Sequence, residues 1–199
     1  EAVLALARAG VTTVENGITG AGTLAIRSGT VVLTGSNDYS GGTNLSGGEL
    51  YFVESALGSG SVIVSGSSLL RFGTASDISP RLTVLPGVRA ALDTDGREIV
   101  FASALAASGS AQIVKTGSGK LSLLGPAVFT GGVVLEAGIL EAGDASALGN
   151  SGSIRFAGGS LRYGLNVNTD FSGRFSPLPQ AITAWVDTGS NTCLLYTSD

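Results

Sequence analysis

The sequence predicts an all-β fold, a parallel β-solenoid that runs through residues 17–188. Three observations predict it. The composition is rich in glycine and apolar residues, short strand-like segments alternate with turn residues, and a pattern recurs after 90 residues. Together they indicate about two repeats of one supersecondary pattern, stacked along a common axis.

The composition allows a buried core and places the glycines in turns. Hydrophobic residues make up 43% of the 199 residues and charged residues only 13%, which is the opposite of the balance that keeps a chain disordered. Gly occurs 31 times, and Gly is the residue that tolerates the backbone conformations of tight turns. We therefore expect many tight turns between short ordered segments.

Short apolar segments bounded by Gly, Ser, Asn or Asp carry the strand signal. Their partial alternation of apolar and polar residues is typical of strands that bury one face. The segments predicted as strands are 23–27, 30–34, 49–53, 61–65, 69–72, 89–92, 99–102, 120–124, 139–142, 153–156, 161–163 and 182–186.

No helix-length periodicity survives the glycines, except in the N-terminal lead-in of residues 1–16. Its opening stretch, residues 1–9 (EAVLALARA), consists mostly of good helix formers. It predicts a short helix ahead of the solenoid.

The internal repeat sets the domain organisation. Residues 28–50 align without gaps to residues 118–140, and the offset of the equivalent glycines is 131 − 41 = 90. We assign residues 17–106 to a first solenoid repeat and residues 107–191 to a second, truncated one.

A repeat of this length is too long for a single coil of a β-helix, so each repeat should contain about four stacked coils. Stacking is needed because one coil cannot bury its own hydrophobic face. The leucines that recur in the repeat should point into the shared core; they are Leu33, Leu50, Leu123 and Leu140.

Several function classes are excluded by what the chain lacks. The net charge is −4 and the 11 Lys and Arg form no run, whereas nucleic-acid binders carry a basic stripe. The sequence has no His and a single Cys, Cys193, which removes His-based triads, Cys/His zinc sites and an internal disulfide. No apolar stretch approaches the roughly 18 residues of a transmembrane segment. We predict no catalytic, cofactor-binding or metal site.

Two acidic features resemble sites. The turn at residues 93–96 looks like a calcium loop, but an EF-hand register would place Ala91 and Ala102 at ligand positions. The densest carboxylates are the only basis for a carbohydrate-active enzyme, which needs two of them facing one cleft; they are Asp77, Asp93, Asp95 and Glu98. Asp170 and Asp187 recur at comparable places in the second repeat, which indicates structural turns.

Residues 20–60 resemble the passenger-associated transport repeat of autotransporter proteins. That family carries the pattern G-x-G-x-L-x-L-x-G-x-N-x-Y-[ST]-G-G-T, followed by a short strand ending in G-x-L. The matching residues here are Gly29, Val31, Leu33, Gly35, Asn37, Tyr39, Ser40, Gly41, Gly42, Thr43, Gly48 and Leu50. The second copy keeps Gly117, Gly119, Leu121, Leu123, Gly125, Phe129, Thr130, Gly131, Gly132, Gly138 and Leu140, with Ala127 in place of the Asn and Val133 in place of the Thr.

The resemblance implies a right-handed parallel β-helix that forms the stalk of a bacterial autotransporter passenger. It implies export through the outer membrane and display at the cell surface, with the parent's own C-terminal β-barrel translocator as partner. Cell-surface or polysaccharide ligands are further candidate partners. Two alternatives stay open: a solenoid adhesin that binds a host or polysaccharide ligand, and a β-helical carbohydrate-active enzyme.

Other side chains also recur between the repeats. The aromatic pairs predict a stack along the core, with a sugar-binding face as the alternative; they are Tyr39 with Phe129 and Phe72 with Tyr163. The basic pairs are interpreted as solvated charges on strand faces; they are Arg71 with Arg162 and Arg81 with Arg174.

The two ends of the chain suggest a piece of a longer protein. The sequence contains no Met and begins at Glu1, so we expect an internal fragment. Residues 192–199 break the repeat register and contain Cys193, so we expect a non-native tail.

Overall fold

The computed structural model describes residues 2–190 and has a β-solenoid fold. Every strand pairing among these residues is parallel, and the only helical elements there are three 3-10 turns, at Glu54–Ala56, Ser79–Arg81 and Ser172–Arg174. The predicted fold class is confirmed. The strands are β1 Val3–Val14, β2 Thr23–Leu33, β3 Thr43–Leu45, β4 Glu49–Phe52, β5 Val62–Val64, β6 Ser68–Phe72, β7 Leu82–Val84, β8 Arg89–Asp93, β9 Glu98–Phe101, β10 Ala106–Ala107, β11 Gln112–Thr116, β12 Lys120–Leu123, β13 Val133–Leu135, β14 Ile139–Ala142, β15 Ile154–Phe156, β16 Ser160–Tyr163 and β17 Trp185–Asp187.

The strands stack into three ladders that run along the solenoid. The first ladder contains the N-terminal half of β2, then β3, β5, β7 and β10. The second contains the C-terminal half of β2, then β4, β6, β8, β11, β13 and β15. The third contains β9, β12, β14, β16 and β17. One coil takes between 19 residues, from Thr30 to Glu49, and 25 residues, from Leu161 to Val186.

The core lies between the ladders and is filled by alternate side chains of the strands from β2 to β16, whereas the end strands β1 and β17 contribute only partly buried side chains. The four leucines predicted to point inward are all at most 2% exposed. Burying side chains of this size contributes roughly 1.5–3 kcal/mol each. A continuous apolar core of this kind is what holds successive coils together.

The 90-residue repeat spans four coils and one additional face, so its second copy is rotated around the solenoid. The motif strand β3 lies in the first ladder, whereas its counterpart β13 lies in the second. Likewise, the C-terminal half of β2 belongs to the second ladder, but the equivalent β12 belongs to the third. The same sequence pattern therefore builds a different side of the solenoid in each copy.

The prediction of a helix in the lead-in is wrong. Residues 3–14 form β1, which pairs with β2 along both of its halves. Helix propensities differ by less than about 1 kcal/mol per residue, and a nine-residue helix is too short to be stable alone. The ladder offered by β2, together with the β-branched run of residues 11–14, outweighs that preference.

The predicted strand segments all overlap observed strands, but five strands besides β1 were not predicted: β3, β7, β10, β11 and β13. Four of these are only two or three residues long, which is too short for an alternating pattern to register. The segments 23–27 and 30–34 join into one strand, β2. The tail predicted for residues 192–199 lies outside the described residues.

Candidate functional site: the repeat-motif turn

The repeat motif forms the turn that carries the chain from one coil into the next. It leaves β2, passes through Asn37 and Tyr39, and enters β3 at Thr43. All three side chains are at least 92% buried. The polar side chains of this turn therefore point into the solenoid and not into solvent.

Asn37 ties three successive coils together. Its Oδ1 accepts a hydrogen bond from the backbone N–H of Ile18 at 2.7 Å, and its Nδ2 donates to the carbonyl of Ala56 at 2.6 Å. Both partners are 19 residues away, one on each side. In the second copy Ala127 stands in its place, and only its backbone N–H reaches the next coil, at Ser146. In the first copy the motif Asn thus links neighbouring coils through buried hydrogen bonds.

Tyr39 and Thr43 share a buried hydrogen bond between their hydroxyl groups, 2.6 Å apart. Burial raises the pKa of Tyr39, against smaller opposing effects of the Thr43 hydrogen bond and of Arg81, so the phenol stays neutral at physiological pH. In the second copy the same positions hold Phe129 and Val133, both buried. The two hydroxyls are present together in one copy and absent together in the other.

We expect Tyr39→Phe and Thr43→Val each to lower the free energy of unfolding by about 1–3 kcal/mol, because each leaves one buried hydroxyl without its partner. The double variant should cost less than the sum, since it recreates the apolar pair of the second copy. Chemical denaturation followed by circular dichroism measures the coupling energy, which should exceed about 1 kcal/mol. Strictly additive costs would contradict this account.

The two motif glycines after Tyr39 allow close stacking of backbones. Gly42 has a φ of +90°, and a Cβ on it would lie 2.5 Å from the carbonyl oxygen of Ser61. Gly132, at the same place in the second copy, has a φ of +81° and would meet the carbonyl of Ser153. The glycines are required by backbone geometry in both copies.

Two recurring arginines bind the backbone of the turns at residues 57–60 and 148–152. Arg81 donates to the carbonyls of Leu57, Gly58 and Gly60 of the preceding coil. Arg174 donates in the same way in the second copy, to the carbonyls of Leu148, Gly149, Ser151 and Gly152. The interpretation of this pair as solvated strand-face charges is wrong: both are half-buried, and burial lowers the pKa of each. They satisfy carbonyls that the tight turn leaves without backbone partners.

Lys115 is a further buried cation, and no pattern in the sequence distinguishes it. It occupies an inward position of β11, between Leu92 of β8 and Leu135 of β13. Its Nζ donates to the carbonyls of Thr116 and Gly117 at 2.7 Å, and burial lowers its pKa to about 8. Like the arginines, it caps turn carbonyls.

The acidic side chains that could have faced a hydrolytic cleft make structural contacts. Asp93 accepts from Arg71 Nε at 2.9 Å and from the backbone N–H of Asp95 at 2.8 Å. Asp77 accepts from the N–H of Ser79 and of Ala102, which stitches two coils together. Within residues 2–190, no three His, Cys, Asp or Glu side chains come together in a way that could hold a metal ion.

The recurring aromatic side chains are in the core, as a stack predicts. Tyr39, Phe72, Phe129 and Tyr163 are each at most 2% exposed. The Phe72 ring lies 5.0 Å from that of Phe52 and 6.0 Å from that of Phe101, which links three coils. None of these rings is open to a sugar. The described part of the chain also holds no helix that is long and apolar enough to cross a membrane.

Comparison with known proteins agrees with this arrangement. The passenger-associated-transport-repeat family matches residues 28–51 and 113–142, which contain the two motif copies. The chain is also 38% identical over 120 residues to the adhesin BmaC autotransporter of Brucella suis biovar 1 (strain 1330). That match covers 58% of this chain and 3% of the relative, so the chain spans a small part of the relative's length. No solved structure gives a significant match.

Proposed function

We propose that this segment of an autotransporter passenger, with its two passenger-associated-transport repeats, is a rigid β-helical stalk displayed at the bacterial cell surface. The observation that carries the proposal is the direction in which the motif residues and the recurring arginine act. From within the solenoid, Asn37 hydrogen-bonds to the coils on both sides and Arg81 to the preceding coil, while Tyr39 bonds to Thr43 inside the turn. A motif built in this way holds coils together, and extended solenoids need such contacts between nearest neighbours.

The contacts of the acidic side chains argue for a non-enzymatic role. The carboxylates that could have formed a hydrolytic pair hold backbone amides and an arginine of the framework. Glycoside hydrolysis requires one carboxylate to act as acid and the other as nucleophile or base across a substrate. We therefore favour the stalk over a carbohydrate-active enzyme.

The similarity to an autotransporter supports surface display. We infer that the full-length parent carries a C-terminal translocator, which passes this segment through the outer membrane to the outside of the cell. The relative's name includes adhesin, and we propose an adhesive role for the parent as well. The stalk would then hold adhesive surface away from the membrane.

Protease treatment of intact cells tests surface display. In cells that produce the full-length parent, proteinase K added outside should remove the signal of an antibody raised against this chain. A cytoplasmic protein detected in the same samples should stay intact, which controls for lysis. If the segment resists the protease on intact cells and is degraded only after lysis, the proposal is wrong.

A further inference from the structure

An exposed tryptophan lies on the outer face of the third ladder. Trp185 is the only Trp in the sequence, and it is 69% exposed. It belongs to β17 and stands beside Ser160 of β16, which in turn stands beside Ile139 of β14. A large aromatic, a small residue and a branched apolar residue thus follow one another across three coils.

This order of sizes makes a groove on the side of the solenoid. The cavity has a volume of about 220 Å³. Ser160 is the small member of the row, so it forms the floor between Trp185 and Ile139. The remaining lining residues are Leu161, Arg162, Val186 and Asp187. Because coils stack along the axis, the groove lies on a lateral face that stacking leaves open.

The rim of the groove carries charged groups of both signs. Arg162 Nε lies 3.6 Å from Glu141 and 3.5 Å from Asp187. Lys120, three coils from β17, lies 3.7 Å from both Glu98 and Glu141. The signs alternate along the ladder and nearly cancel. Such a rim offers hydrogen-bond donors and acceptors without a strong net field.

We propose that this groove binds one pyranose ring of a neutral carbohydrate chain. The apolar face of the ring would stack on the indole of Trp185, and its hydroxyls would bond to Arg162 and Asp187. An exposed aromatic surface beside a few placed polar groups is the general form of a site for such amphipathic ligands. The balanced rim favours a neutral saccharide over a sulfated or phosphorylated one.

The first copy of the repeat lacks this groove. Matching the Asp-Thr pairs at residues 93–94 and 187–188 places Ala91 of β8 where Trp185 stands. Ala91 is 5% exposed and packs with Val114 and Val134 on the outside of the second ladder. The site thus belongs to one copy only, as a ligand site added to a structural repeat would.

Intrinsic fluorescence offers a direct test, because the chain has a single Trp. Cellohexaose, chitohexaose and mannohexaose are titrated separately into the purified chain. At least one should give a saturable change in Trp185 emission, with a Kd near the millimolar range of a shallow site, about −4 kcal/mol. If none of the three changes the emission, the proposal is wrong.

Variants separate the groove from nonspecific contact. Ser160→Leu keeps the tryptophan but fills the floor, so it should weaken binding at least tenfold with little effect on the thermal midpoint. Leu165→Ala removes an apolar side chain that is 77% exposed elsewhere on the surface, and binding should not change. A heparin hexasaccharide serves as the anionic comparison ligand. The proposal is overturned if Ser160→Leu binds as well as the parent chain. It is also overturned if only heparin binds and salt abolishes that binding.

The inference deepens the adhesive part of the proposed function, but its test does not depend on surface display. Saccharide binding is measured on the purified chain, whereas display is measured on intact cells. Failure of either experiment therefore leaves the other proposal to be judged by its own result.

Discussion

Replacing Phe72 by Ala is expected to lower the free energy of unfolding by about 3–5 kcal/mol. The side chain is fully buried, and its ring contacts Phe52 in one neighbouring coil and Phe101 in the other. The variant loses the transfer free energy of the ring and leaves a cavity between coils. It also loses two aromatic contacts, each worth about 0.5–1.5 kcal/mol beyond the buried area.

Urea denaturation followed by far-ultraviolet circular dichroism measures the effect. Val128→Ala is a suitable control, because Val128 is 60% exposed and should change stability by no more than about 0.5 kcal/mol. Since stability in a solenoid depends on contacts between nearest neighbours, Phe72→Ala should also create a new protease-sensitive point near its coil. A loss below about 1 kcal/mol would mean that the aromatic stack does not hold these coils together.

The fold class was predictable because its signals are local and repeated. Leu33, Leu50, Leu123 and Leu140 each have a polar residue on at least one side, and this partial alternation indicates the buried face of a strand without knowledge of its partners. The motif itself was recognisable, since its glycines are fixed by backbone clashes that every copy shares. These features needed no tertiary information.

Other features depend on which residues lie in the adjacent coil. The sequence alone does not show which strands become neighbours. The stretch at the start of β1 has helix-forming residues, but β2 offers it a ladder. Lys115 reads as a surface residue until β8 and β13 are placed on either side of it. The rotation of the second repeat by one face is likewise invisible in an alignment, which gives only the 90-residue offset.

The roles of the motif residues were partly visible. Tyr39 and Thr43 change together to Phe129 and Val133, and the joint loss of two hydroxyls is a signal of contact that the alignment contained. Nothing comparable pointed to Arg81, because a recurring arginine fits a solvated face as well as a carbonyl clamp. Only the structure shows that the carbonyls of the preceding turn converge on it.

Replacing Gly42 by Ala is expected to cost about 2–5 kcal/mol, from two separate causes. Its φ of +90° is a conformation that L-residues adopt with a penalty of about 1–2 kcal/mol. The added Cβ would also lie 2.5 Å from the backbone oxygen of Ser61, and a backbone atom cannot rotate away as a side chain can. Relieving that clash requires the two coils to separate, with an overpacking cost of about 1–3 kcal/mol.

Two other glycines of the same chain separate these causes. Gly20 has a φ of +99° but open space around its Cβ position, so Gly20→Ala should show the conformational penalty alone. Gly173 has open space and no positive φ, so Gly173→Ala should be neutral or stabilise by about 0.4–1 kcal/mol through the unfolded state. Thermal and urea unfolding of the three variants should rank Gly42→Ala as the least stable and Gly173→Ala as the most. Equal losses of unfolding free energy for Gly42→Ala and Gly20→Ala would contradict this account. They would show that the coils accommodate the new methyl group without cost, so that the motif glycines are needed for their backbone conformation and not for close stacking.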